Sequence, residues 1–447
     1  PQQIFAGLYA HTDPNHEPMS SGRQMGGHYN TDLIDENGSW LTQTDRYNSS
    51  SDVSCTASQM PRLVGLAMAS KLYRSEKSFD NPKFSINGNE VAWGTIGNAS
   101  TSEGLFFESF NAAGVHQIPM VISVWDDEYG ISVDNSFQTV KESISEALAG
   151  FKRNKSKDGF EIFSVKGWDY PNLIHTFQKS GEIARTNHVP VLIHVTELTQ
   201  PQGHSTSGSH ERYKSDNRLK WEKENDCNLK FRSWIIDNNI ATEAELEAIE
   251  TSSKQEAKKA KENAWEASLE PIRNEAKQLT NCLSDAADEG LIKEGQRLLK
   301  DKSINRKKIA SFARKSLRVL RKHPHSQTEK LQSWIANYFE ETQPKFSGSL
   351  YNETKTSSLE VNKVEVSYDD EAPKVDGRII LRDNFKALFE KHDNLLVFGE
   401  DSGKIGDVNQ GLEGLQSLFG AERVADRGIR EATIVGEGIG MALRGLR

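Results

Sequence analysis

The chain has 447 residues, 36% of them hydrophobic and 27% charged, and carries a formal net charge of −9 at neutral pH. That length calls for two or three domains, the acidic balance argues against general nucleic-acid affinity, and no apolar run approaches the roughly 18 residues of a membrane helix. Cys55, Cys227 and Cys282 are few, odd in number and widely spaced, so neither a disulfide framework nor a zinc site follows, and a reducing cytoplasm is the simplest setting.

In chain order, Gly22-Arg23-Gln24-Met25-Gly26-Gly27-His28-Tyr29 is a loop with a cation and a histidine. Apolar runs at 91–96, 118–124 and 189–195, separated by helical stretches, predict a buried parallel sheet. The most informative block is Val91-Ala92-Trp93-Gly94-Thr95-Ile96, then Gly97-Asn98-Ala99-Ser100, a helical stretch over 103–114, and a second apolar run ending before Asp126-Asp127-Glu128-Tyr129. Strand, glycine turn, helix and strand make a βαβ unit. Its strand ends, at Asn98 and Asp127, are expected side by side at the carboxyl edge of the sheet, where open α/β sheets bind ligands. One amide and one carboxylate there, with helix N–H groups nearby, suit a divalent cation bridged to a diphosphate. After the third run comes a polar loop, Gln202-Gly203-His204-Ser205-Thr206-Ser207-Gly208, with chemistry for phosphate contact and proton transfer.

From 221 the pattern turns helical. Asp226 is a predicted N-cap, with Asn238-Asn239 as a stop, and Thr242 with Glu245 forms a capping box opening a charged helix to about 268. Further helices are expected over 271–342. Within 297–322, eleven Lys or Arg stand against one Asp; the segment reads as a solvated helix facing acidic neighbours, with partner docking as the functional alternative. Residues 344–376 lose periodicity and read as a linker. A new α/β pattern follows, with strands at Leu395-Leu396-Val397-Phe398 and Arg423-Val424-Ala425, and Glu431 heads an apolar helix. The expected divisions are therefore 1–220, 221–343, 344–376 and 377–447. Pro1 and the stop after Arg444 suggest an excerpt that begins inside one domain and is cut inside another.

The block at 97–132 resembles, without a gap, the thiamine diphosphate motif of the E1 component of 2-oxo acid dehydrogenases, which starts at Gly-Asp-Gly or Gly-Glu-Gly and ends near Asn-Asn-x-Tyr-x-Ile-Ser. The resemblance implies that Asn98, Asp127 and the Tyr129 carbonyl bind Mg²⁺, and that Gly97, Ala99, Ser100, Asp127 and Ile131 contact the cofactor. Asn98 stands where the family has an acid and Asp127 where it has Asn, so the two ligands look exchanged rather than lost. The Gly-Arg-Gln-Met segment at 22–25 resembles branched-chain-type E1 α subunits, and Ser54-Cys55-Thr56-Ala57-Ser58-Gln59-Met60-Pro61 is similar to the stretch holding the aminopyrimidine ring, through Ser54 and Thr56. The loop at 202–208 resembles the family's His-Ser-Thr-Ser loop, making His204 the implied residue for reductive acylation, with His210 as an alternative. Gly428-Ile429-Arg430-Glu431-Ala432-Thr433-Ile434-Val435-Gly436 resembles the E1 β segment whose Glu bonds N1′ of the aminopyrimidine. The resemblance implies that this Glu, here Glu431, lets the ring's exocyclic nitrogen remove the thiazolium C2 proton.

Four motifs in family order imply an α/β, thiamine diphosphate-binding (transketolase-like) fold. It would comprise a pyrophosphate-type domain, a helical connector and the start of a pyrimidine-type domain, with α-like and β-like parts fused. The implied activity is E1 of a 2-oxo acid dehydrogenase complex, transferring an acyl group to a lipoylated E2 acyltransferase. A branched-chain substrate (3-methyl-2-oxobutanoate dehydrogenase-like) is slightly preferred. The fused chain is expected to form a homodimer in which each Glu431 serves a site completed by the other half. The alternatives are a pyruvate or acetoin dehydrogenase, or a cofactor-free scaffold motivated by the altered metal pair and by Trp125 and Glu128.

Overall fold

The computed structural model describes all residues except 24–28, 52, 156–157, 202, 205–209, 285–287, 322–325, 349–350, 353 and 356. In chain order, α1 (Gln2–Leu8) and α2 (Gln59–Ser75) precede β1 (Ala92–Gly97), α3 (Gly104–His116), β2 (Met120–Trp125), β3 (Glu161–Lys166), α4 (Tyr170–Asn187) and β4 (Val191–Thr196). The four strands form one parallel sheet in the order β1-β2-β4-β3. The central pair β2 and β4 is buried along almost its whole length, which explains the unbroken apolar runs Met120-Val121-Ile122-Ser123-Val124 and Val191-Leu192-Ile193. Three strands were expected; the fourth, β3, begins and ends on charged residues and is half-buried at the sheet's edge. A strand of that kind gives a weaker apolar signal.

Helical segments follow: α5 (Asp216–Glu224), α6 (Cys227–Asp237), α7 (Glu243–Cys282), α8 (Glu289–Leu299), α9 (Arg306–Leu320) and α10 (Ser326–Ser347). Asp226 caps α6 by accepting from the amides of Asn228 and Leu229, and the Thr242–Glu245 capping box opens α7. This helix runs well beyond the expected end near 268, passing through Pro271. Proline lacks the N–H that would serve the carbonyl four residues back, and His11 Nε2 instead lies 3.2 Å from that carbonyl, Ala267 O. Helices α7 to α10 share their own core, which includes Leu279, Leu291, Ile309, Phe312 and Leu331.

The C-terminal segment contains α11 (Gly377–Lys391), a parallel pair β5 (Val397–Gly399) and β6 (Val424–Asp426), and α12 (Glu431–Leu443). Its residues Leu396, Met441 and Leu446 belong to the same buried cluster as Leu63, Val64 and Leu72 of α2. α12 and α2 meet backbone to backbone. A Cβ on Gly65 would lie 2.2 Å from Glu437 O, one on Gly436 2.3 Å from Pro61 Cβ, and one on Gly440 2.4 Å from Arg62 O. Gly436 faces Pro61, Gly440 faces Leu66, and Arg444 reaches Ser70, so the two helices run parallel with their N-termini at one end. Among the described residues no helix is long and apolar enough to cross a membrane.

Candidate functional site

Parallel pairing of β1 with β2 sets Gly97 opposite Trp125, and the Asn98 amide donates to Trp125 O at 3.0 Å. The chain then turns through a 3-10 segment, Ala99–Ser102, in which the Thr101 amide and hydroxyl both donate to Asn98 O. Across from it, Tyr129–Gly130 forms a short hairpin with Val133–Asp134. A Cβ on Gly130 would meet Ala99 Cβ at 2.7 Å, so glycine is required for the two loops to touch. Asn98, Ala99, Asp127 and Tyr129 are thus brought to one sheet edge, as the sequence predicts. Asn98 is only 4% exposed, and its side-chain nitrogen Nδ2 has no hydrogen-bond partner among the described residues. Glu128 and Ile131 take φ of +70° and +61°, a backbone region that costs non-glycine residues energy and concentrates at functional sites.

The electrostatics around this loop are unusual. Burial holds the Asp127 carboxyl above the usual carboxylate range, opposed by the Tyr129 amide and the Lys214 ammonium. Burial also raises Glu128, against the pull of Arg218. The fully buried Lys214 ammonium donates to Glu222 Oε1 at 2.7 Å and lies 5.0 Å from the Tyr129 ring centre. Arg218 donates to the same Glu222 oxygen at 2.8 Å and to Asp127 O at 3.0 Å, and pairs with Glu128. Glu222 Oε2 has no hydrogen-bond partner among the described residues. Asp127, Glu128 and Glu222, with Asp126 and Asp134 also close enough to act on them, therefore outnumber the two cations Lys214 and Arg218. No group of three His, Cys, Asp or Glu side chains suited to an ion occurs among the described residues. A cation would have to rest on one carboxylate, the Asn98 amide and a main-chain carbonyl. These are hard oxygen donors of the kind Mg²⁺ accepts together with phosphate and water, so the donor set and the excess of carboxylates fit such an ion.

Beside this edge opens a cleft of about 290 Å³, lined by Cys55, Thr56, Gln59, Gly97, Ser100 and Trp125 among others. Ser54 is exposed in the loop that leads into α2. Sequence reading missed Cys55, Gln59 and Trp125 as lining residues, and also Lys214, Arg218 and Glu222, because charges on or just before a short helix ordinarily face water. Glu431 is the exposed first residue of α12. Since α2 and α12 run parallel, it stands at the same end as the 54–58 loop of its own chain. Two residues along, the Thr433 amide donates to Glu108 of α3 at 2.8 Å. His204 is exposed; its backbone hydrogen-bonds the Tyr213 hydroxyl, and the Tyr213 ring lies 5.5 Å from that of Tyr129. Residues 202 and 205–209 of that loop, and 24–28 of the Gly-Arg-Gln-Met segment, lie outside the described residues. Arg23 donates to Ser20 O and Gly348 O, and His210 pairs with Glu211 at 2.9 Å.

The family described as "Dehydrogenase E1 component" matches residues 35–272. The pyruvate dehydrogenase E1 component subunit alpha of Rickettsia bellii is 27% identical over 205 residues, covering 46% of this chain and 56% of that protein. The 2-oxoisovalerate dehydrogenase subunit alpha of Bacillus subtilis is 24% identical over 276 residues, 60% of this chain and 72% of that protein. The pyruvate dehydrogenase E1 component subunit beta of Leifsonia xyli is 55% identical over 53 residues, 12% of this chain and 16% of that protein. The chain thus spans about half the length of the first of these relatives, 56%.

Proposed function

Because the chain belongs to the dehydrogenase E1 component family, whose motifs also organise its sheet edge, we propose that it is a thiamine diphosphate- and Mg²⁺-dependent E1 of a 2-oxo acid dehydrogenase complex, with α-like and β-like parts in one polypeptide. The single observation that supports this best is the meeting of Asn98, Asp127 and Tyr129 beside a cleft lined by Thr56, Gly97 and Ser100. Matches to α-subunit relatives, together with the separate β-subunit match, support the fusion. In this reading residues 1–220 are the pyrophosphate-type domain, 221–343 a helical extension, 344–376 a linker, and the segment from 377 the start of a pyrimidine-type domain.

Asp127, the Asn98 amide oxygen and the Tyr129 carbonyl would hold Mg²⁺, while Gly97, Ala99, Ser100 and Ile131 line the diphosphate end. Ser54 and Thr56 would hold the aminopyrimidine ring, with the Glu431 carboxyl bonded to its N1′. When bound, thiamine diphosphate supplies a carbon nucleophile that attacks the 2-oxo carbon and accepts the electrons left as CO₂ departs. His204 would move a proton as the acyl group passes to the lipoyl arm of an E2 acyltransferase.

Decarboxylation assays with branched-chain 2-oxo acids and pyruvate, together with an acetoin-cleavage assay read as acetaldehyde release, test the reading. Turnover of a branched-chain acid is expected, preference for pyruvate or acetoin would reassign the substrate, and no turnover with any 2-oxo acid would sink it. Calorimetric titration with Mg²⁺ and thiamine diphosphate separates an enzyme from a cofactor-free scaffold.

A further inference from the structure

Next to Asp127 stands a second carboxylate, Asp126, which is 4% exposed and was given no role. A buried carboxylate needs compensating donors, and Asp126 has two. His194 Nε2, on β4, meets its Oδ2 at 2.8 Å, and the Glu128 amide donates to its Oδ1 at 2.8 Å. His194 is itself 2% exposed, and its Nδ1 lies 2.8 Å from Ser145 Oγ, which lies 3.3 Å from Ser143 Oγ. The main chain of Asp126 is pinned as well: its amide donates to Val195 O at 2.9 Å and its carbonyl accepts from Leu198 at 3.1 Å. A chain of contacts therefore runs from Ser145 through His194 and Asp126 to the amide of Glu128, the residue held at φ +70° immediately after Asp127.

We infer that Asp126 and His194 are positioning residues for the cation site. They hold the strained Asp127–Glu128 turn so that the Asp127 carboxylate meets the Asn98 amide across the strand ends. The inference rests on the reading of Asp127 as a cation ligand. Arg218 braces the same turn from the opposite side, on Asp127 O and the Glu128 side chain, so the turn is clamped between the sheet and α5. His194 carries the half of the clamp that belongs to the sheet. Neither partner works with a substitute of the wrong hydrogen-bond type. Asp126 faces two donors, and an asparagine there would set its NH₂ group against one of them.

The test uses the full-length chain, with Mg²⁺ titrated at saturating thiamine diphosphate by calorimetry and the melting temperature of the cofactor-free protein measured in parallel. Asp126→Asn and His194→Phe are each expected to raise the half-saturating Mg²⁺ concentration about 10- to 100-fold, as loss of groups that orient ligands does. His194→Gln, which keeps a donor toward Asp126, is expected to recover part of that loss, and Ser145→Ala to cost less than either. A wild-type Mg²⁺ midpoint in folded Asp126→Asn or His194→Phe overturns the inference, even if the melting temperature falls, since that pattern marks a merely structural pair. Should His194→Phe not fold, the near-isosteric Asp126→Asn decides alone. Absence of binding by the unaltered chain overturns the functional reading, and the inference with it.

Discussion

In the proposed reading Asn98 and Asp127 exchange the acid and amide of the family motif; in the structure they follow adjacent strands, with the Asn98 backbone amide hydrogen-bonded to Trp125 two residues before Asp127. If Asp127 supplies the one side-chain carboxylate to Mg²⁺, Asp127→Asn abolishes Mg²⁺-dependent binding of thiamine diphosphate and adding Asn98→Asp restores it. Calorimetry on the single and double variants checks this. Failure of the rescue would make Glu128, held here by Arg218, the true ligand. A second residue-level prediction concerns acid. His116 ends α3 with its Nε2 3.9 Å from Glu437, whose oxygens are already taken by Arg427. Burial, then Arg427, Arg430 and Lys71, hold its pKa down to about 3. In the unfolded chain a histidine titrates at about 6.5, so unfolding takes up a proton between these values. The stability that His116 contributes is complete above pH 6.5 and declines below it by about 1.4 kcal/mol per pH unit. Urea unfolding of His116→Gln at pH 7, 6 and 5 should show a slope shallower by about that amount, and an unchanged slope would remove His116 from the account.

Between elements, the closest contact is that of α2 with α12, and glycine makes it. Gly436→Ala would place a methyl 2.3 Å from Pro61 Cβ and 2.6 Å from its carbonyl carbon. Backbone cannot yield as a side chain can, so the helices must separate, at a cost of about 3 kcal/mol or more. Gly438→Ala, two residues along, meets only Phe398 Cζ at 3.6 Å and should be neutral or stabilising by up to about 1 kcal/mol through helix propensity. Chemical denaturation of the pair checks the contrast; equal effects would mean that the contact relaxes freely. Which elements were legible follows from the same physics. β1, α3 and β2 announce themselves because apolar period and glycine turn agree locally, and Thr242 with Glu245 marks the start of α7 for the same reason. The end of α7 was placed too early: the helix passes Pro271, a residue that normally stops one, and His11, far off in sequence, reaches the carbonyl it orphans. The α2–α12 contact left no readable trace, since Gly436 and Gly440 look like ordinary small residues until Pro61 and Leu66 are placed against them. The candidate site divides likewise. Asn98, Asp127 and Thr56 come from contiguous motifs, whereas Lys214, Arg218, Glu222 and His194 reach it only through tertiary packing.

At the scale of the molecule, the parallel α2–α12 pair bears on where a complete site lies. The sequence leads one to expect a homodimer in which Glu431 of each copy serves the other. Yet Gly436 lies on Pro61 and Gly440 beside Leu66 within a single chain. Glu431, little more than one turn ahead of Gly436, is thereby carried to the end of α2 where Thr56 and Gln59 line the cleft. A site completed within the chain and one completed between copies give opposite results when two inactive variants are co-expressed. Asp127→Asn removes the cofactor, and Glu431→Gln is expected to bind it without turnover. If each site draws both residues from one polypeptide, every site in the mixture carries a defect and 2-oxo acid decarboxylation stays absent. If sites form across a symmetric dimer, half the dimers are hybrids with one intact site, and activity returns to about a quarter of wild type. The packing of α12 on its own α2 predicts no recovery. Recovery near a quarter would mean that Glu431 acts on a neighbouring copy despite this contact, and that the close glycine packing serves assembly of the chain rather than completion of its own site.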